Sequence, residues 1–188
     1  MTKQLLLAVA LVSVAAPAFA AQPPTACDVL TKADLAAAQG QDFSETKLST
    51  KTQGPLSVSQ CFYRLPSFEK SVVVTLTRPL SAKDTSSILE YWNAHEAALV
   101  IAKTVDRDDD SRPHTTNNRH DEEHPGDTVR VAGLGDDATW SGTPMASALH
   151  VLWHGMIVRI SVGGSASLDQ KLETSRQLAT AILKRVTN

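Results

Sequence analysis

Half of the six histidines in this 188-residue chain fall in one short segment, at His114, His120 and His124. Carboxylates crowd around them: Asp108, Asp109, Asp110, Asp121, Glu122 and Glu123. Imidazole nitrogens and carboxylate oxygens are the ligands that zinc, copper or nickel take from proteins. His120 and His124 would share a face if the segment wound into a helix around a metal. The spacing His-x5-His-x3-His matches no rigid metal-site pattern, and ligands on an irregular segment must be ordered before they bind. From Asp106 to Asp127, eight acids against three arginines leave a net charge of −5. A solvated, charged loop is therefore the simpler expectation. The alternative is a metal-binding protein that holds zinc or copper through His114, His120 and His124.

Other patterns fall short of their chemistry. His95-Glu96 begins the zinc-protease helix motif, but that motif needs a second His four residues after the first, and position 99 is Leu. Gly133-Leu134-Gly135-Asp136 lacks the third glycine of a dinucleotide fingerprint and precedes a strand, so a turn or bulge is expected there. Ser67 and Lys70 have a serine–lysine acylase spacing, yet they sit in an expected hairpin turn without the partner motifs. His150 and His154 are expected on one side of a strand, with Trp140 and Trp153 nearby. That is either a ligand-contacting face or a structural surface beneath a helix, and the structural reading is preferred. No Gly-x-Ser-x-Gly elbow is present.

Cys27 and Cys61 are the only cysteines. They lack CxxC spacing and a neighbouring His, and an even count in an exported chain predicts a disulfide between them. Export is expected because residues 1–20 read as a cleavable signal peptide. Lys3 is followed by an apolar run from Leu5 to Val14, then Pro17, and small Ala18 and Ala20 suit a peptidase that cuts after Ala20. The run is shorter than the roughly 20 residues of a membrane span. A soluble periplasmic or secreted domain over residues 21–188 is expected. Its formal charge moves from −2 to −3 on loss of Lys3, which excludes a strongly basic nucleic-acid binder.

The elements that must position these groups alternate in type. Thr31 to Gln39 reads as a short helix, capped by Thr31 and Asp34 and stopped at Gly40. Strands are expected at 43–52 (polar, at an edge), 57–65 and 71–77. A helix from about 82 to 104 carries a stripe of Ile88, Leu89, Trp92, His95 and Leu99, extending to Ala102. A mobile charged loop at 105–127 follows. Further strands are expected at 128–131, at 137–140, and at 145–153 and 156–162. The last two form a hairpin around His154-Gly155, with Arg159 on the face opposite Met156, Val158, Ile160 and Val162. A final helix from Ser167 buries Leu172, Leu178, Ala179, Ile182, Leu183 and Val186. The order α-β-β-β-α-β-β-β-α predicts one α+β domain, an antiparallel sheet covered by helices.

Three stretches carry a family likeness. They are Cys27-Asp28-Val29-Leu30-Thr31 with Lys32-Ala33-Asp34 and Gly40; Cys61-Phe62-Tyr63; and Gly133 to Trp140 followed by Leu149 to Gly155. Together they resemble small secreted or lipid-anchored bacterial envelope domains of unknown function, a group similar to the PsbP/Mog1-like proteins. The resemblance implies an α/β/α sandwich and no known catalytic residues. The chain departs from it in lacking a lipid-attachment Cys and in the length of 105–127. The functional expectation is a non-enzymatic periplasmic or secreted module that binds an envelope protein or a small ligand. A hydrolase whose site is assembled only by the fold is the further alternative.

Overall fold

Thr31 caps the first helix, α1 (Lys32–Gln39), through a reciprocal pair. Its hydroxyl accepts the Asp34 N–H at 3.3 Å, and the Asp34 carboxylate accepts the Thr31 N–H at 2.6 Å. Two N–H groups that a helix start leaves without partners are thereby satisfied. Gly40 ends the helix at φ 73°, in the left-handed region that only glycine enters cheaply. The computed structural model describes residues 23–105, 128–143 and 146–186. Residues 1–20, where a leader is expected, and the histidines and acids of 106–127 lie outside the described residues.

After α1 come β1 (Glu45–Gln53), β2 (Leu56–Arg64) and β3 (Val72–Pro79), an antiparallel meander. A 3-10 turn at Ala82–Asp84 leads into α2 (Thr85–Val105). The second half supplies β4 (Val129–Arg130), β5 (Asp137–Gly142), β6 (Ser147–Trp153) and β7 (Met156–Val162), then α3 (Leu168–Val186). Ser167 and Gln170 hold the first turn of α3 by the same reciprocal capping seen at Thr31. All seven strands form one antiparallel sheet in the order β1-β2-β3-β7-β6-β5-β4, so the two meanders meet where β3 pairs with β7. The α+β class, the antiparallel sheet and the edge position of β1 are as the residue pattern predicts. Among the described residues no helix is long and apolar enough to cross a membrane.

Helices cover both faces of the sheet: α1 and α3 lie on one, α2 on the other. The α3 face carries the larger core, in which Val74, Leu76, Leu149, Val151, Val158 and Ile160 meet Leu178, Ala179 and Ile182. The α2 face has a small apolar cluster of Leu56, Ile88, Trp92, Leu152 and Ile157. Full burial of one such side chain is worth roughly 1.5–3 kcal/mol. Most of the apolar stabilisation therefore comes from the first face, and the second has room for polar groups.

Three ties fasten the N-terminal segment to that larger core. Cys27 and Cys61 form the expected disulfide, with an S–S distance of 2.00 Å, which joins the start of the domain to β2. Beside it the buried Tyr63 hydroxyl donates to the Ala26 carbonyl at 2.6 Å. Arg185 of α3 pairs with Asp34 of α1 at 2.9 Å.

Two details of α2 differ from the pattern. Leu89 is 51% exposed and does not belong to the buried stripe. It stands one residue, about 100° of helical rotation, past the sheet-facing Ile88. Ser81 with Asp84 has the residue pattern of a helix cap like that at Thr31, but the Ser81 hydroxyl bonds the Asp84 carboxylate at 2.8 Å and caps no backbone N–H, because a 3-10 turn intervenes before the α-helix begins. The side chains of Leu99 and Ala102 lie outside the described residues.

Candidate functional site

Strand register gathers polar residues scattered through the chain into a single row. Ser49 stands opposite Gln60, Gln60 opposite Thr75, and Thr75 opposite Arg159. Arg159 stands opposite His150, His150 opposite Thr139, and Thr139 opposite Arg130. Residues directly opposite in a sheet share a face. The row therefore crosses every strand on the side covered by α2, and none of its members is apolar. The next row on the same face, Lys51-Val58-Thr77-Ile157-Leu152-Asp137, mixes polar and apolar groups.

Over the middle of these rows α2 places Tyr91, Trp92 and His95. Together with Lys51, Gln60, Thr75, His150, Ile157 and Arg159 they enclose a cavity of about 350 Å³. Clefts of about 300–1,000 Å³ are the usual size for small-molecule sites. Buried Trp92 and Ile157 supply apolar wall, and the Trp92 indole N–H donates to the Asp137 carboxylate at 3.3 Å, which fixes the plane of the ring. The His95 ring packs on that of His150 with centroids 4.2 Å apart.

The electrostatics are one-sided. Lys51 and Arg159 bring positive charge to the lining, and among the described residues no carboxylate lines it. Arg159 makes no hydrogen bond or ion pair among the described residues, and burial lowers its pKa from the ordinary arginine value. It nevertheless stays charged at any physiological pH. His150, only 8% exposed, is pushed down to about 3, mainly by burial and further by the neighbouring His95 and Arg159. Burial also lowers His95, against the pull of Glu96. Both rings are neutral at neutral pH and offer one N–H and one lone pair each. Among the described residues Nδ1 of His150, Nε2 of His95 and Oγ1 of Thr139 are buried without a hydrogen-bond partner. Buried polar atoms are normally satisfied; Glu96 Oε1 on α2 and Gln39, Ser147 and Ser175 toward the other face are unpaired too, but only on the α2 face do such atoms stand next to a guanidinium without an ion pair among the described residues. No Ser or Thr hydroxyl among the described residues is hydrogen-bonded to either imidazole.

The residues singled out from sequence fare unequally. His114, His120 and His124 lie outside the described residues; among those described, no group of three His, Cys, Asp or Glu could hold a metal ion. His150 is beneath a helix, but His154 does not share its face. The strand ends at Trp153, and His154 takes φ 46° in the hairpin turn with Gly155 at φ 71°. The backbone N–H of His154 donates to the Asp136 carboxylate at 2.7 Å, and its ring stacks on Trp153. Trp140 and Trp153 pack with the core of the opposite face, away from His150. Gly133-Leu134-Gly135-Asp136 is a turn between β4 and β5, where a Cβ on Gly135 would lie 2.5 Å from the Leu152 carbonyl oxygen. Residue patterning missed Arg159 as a site residue. Its one local signal is a charge in the middle of the otherwise apolar run Met156-Ile157-Val158-Arg159-Ile160.

No family model matches this chain, and no curated protein matches it. Among solved structures it is similar to the crystal structure of the extracellular domain of PknH from Mycobacterium tuberculosis, at 13% identity, over 88% of this chain and 98% of that one, with a TM-score of 0.43.

Proposed function

We propose that this protein is a non-enzymatic, extracytoplasmic binding module whose site is the cavity between α2 and the sheet. The observation that carries the reading is the middle of the polar row, where half-buried Arg159, without an ion pair among the described residues, and buried His150 lie under a helix where apolar packing would be more stable. An unpartnered half-buried charge is costly, and a ligand that meets it repays that cost. The Cys27–Cys61 disulfide supports an oxidising compartment, where such bonds persist. The signal-like residues 1–20 support the same location. Helices on both faces of the sheet are compatible with the resemblance to PsbP/Mog1-like envelope domains.

A ligand-observed NMR screen of small organic molecules against the mature chain tests the reading, with Gln60→Trp as the blocked control. Gln60 is exposed at the open side of the cavity, so a larger side chain obstructs entry without disturbing either core. Compounds should bind the native chain and lose at least about tenfold in affinity, some 1.4 kcal/mol, to the blocked one. Equal binding to both would move the site elsewhere.

A further inference from the structure

We propose that the ligand of this cavity carries an oxyanion headgroup, carboxylate or phosphate, on an aromatic or branched apolar body, and that Arg159 receives the headgroup. The inference rests on the cavity being the binding site. Four observations point the same way. Among the described residues the lining holds Lys51 and Arg159 and no acid, which favours an anion and repels a cation. The guanidinium has Tyr91 as an electrostatic neighbour but makes no hydrogen bond or ion pair among the described residues, so its planar fork of donors is available for two parallel bonds to one oxyanion. Its two cross-strand neighbours, Thr75 and His150, bring further polar atoms to the same spot. Thr75 Oγ1 already accepts from Gln60 Nε2 at 3.4 Å, which leaves the hydroxyl proton to donate, and His150 Nδ1 has no partner. Finally, a bare inorganic anion would occupy a small part of about 350 Å³ and leave the Trp92 and Ile157 walls uncovered, so the body of the ligand is apolar.

The test uses the full mature chain at pH 7.5 and low salt, with binding measured by calorimetry and saturation-transfer NMR. The probes are phenylacetate, indole-3-acetate and phenylphosphonate, set against phenylacetamide and phenethylamine as neutral and cationic counterparts. Acetate and inorganic phosphate are the body-less controls. At least one aromatic oxyanion should bind, and the amide, the amine and the body-less anions should bind about tenfold more weakly or worse. Arg159→Met should remove a similar factor, and Arg159→Lys should restore part of it because charge returns without the fork. The carboxylate and phosphonate arms decide which headgroup fits. If the amide or amine binds as well as the acid, with binding blocked by Gln60→Trp, the anion assignment is wrong while the cavity reading survives. Unchanged affinity in Arg159→Met has the same meaning. If no probe of any charge binds, both readings fail. The comparison of acid with amide needs no variant, so it decides the matter even if Arg159→Met does not fold.

Discussion

Acid should unfold this protein well before its carboxylates alone would require, because the folded state refuses His150 a proton. The ring sits under α2 with His95 against it and Arg159 beside it on β7, and its pKa falls from the ordinary 6.5 to about 3. Glu96, the acid next to His95 on α2, opposes the shift at His95 only. Between the two values the unfolded chain binds the proton and the folded chain does not. Stability therefore rises with pH across that window: it is complete above about 6.5 and is lost progressively as pH falls toward 3. The expected loss relative to pH 8 is about 2 kcal/mol at pH 5 and roughly 3 kcal/mol at pH 4, from His150 alone. A domain of this size has only about 5–15 kcal/mol to lose. Urea midpoints at constant ionic strength from pH 4 to pH 8 measure the curve, and His150→Gln supplies a partner of similar polarity that does not titrate. The variant should lose about 2 kcal/mol less than the native chain between pH 8 and pH 5. Parallel curves for the two proteins would refute the assignment. So would an NMR titration in which the His150 ring protonates near 6.5.

Three further outcomes follow from the geometry. Replacing Cys27 and Cys61 together by Ser reopens a bridge across a sequence separation of 34 residues, and chain entropy sets the expected loss at about 4 kcal/mol by urea unfolding. Gly135→Ala and Gly133→Ala both place a side chain at positive φ, but only the first meets the Leu152 carbonyl; Gly133→Ala should cost about 1 kcal/mol and Gly135→Ala measurably more in thermal melts. Arg159→Met should raise the unfolding free energy by about 1 kcal/mol even as it weakens binding, since an unpaired half-buried charge gives way to an apolar chain of similar length.

Much of the fold was legible because its signals are local. Thr31 with Asp34 and Ser167 with Gln170 announce helix starts through hydrogen bonds that span three residues. Alternation in β2 and β7 states which side chains share a face, and a cysteine count of two allows one intramolecular bridge. The errors sit where periodicity is extended by one residue. Leu89 follows Ile88 out of the stripe, and His154 follows Trp153 out of the strand. The site was not legible for a different reason. Gln60, Thr75, Arg159 and His150 each occupy an alternate strand position, which in an antiparallel sheet reads as the solvated face. Only pairing between distant strands reveals that they line up, and only the path of α2 reveals that the line is covered at Arg159 and His150.

That covering makes the two faces of the sheet unequal, and the inequality bears on function. A sheet sandwiched by helices gains most by presenting Val, Ile and Leu on both sides, as β6 and β7 do toward α3 with Leu149, Val151, Val158 and Ile160. Toward α2 the same two strands offer His150 and Arg159 instead. Residues that sacrifice packing and leave buried polar atoms unpaired persist where they do something besides stabilise the fold. The disulfide, the Tyr63–Ala26 hydrogen bond and the Asp34–Arg185 pair all reinforce the α1–α3 side, at the far surface of the sheet from the row. A well-fastened face behind the row holds Arg159, His150 and Thr75 in fixed register, so that an incoming anion finds its partners already placed and less of its binding energy goes into ordering them.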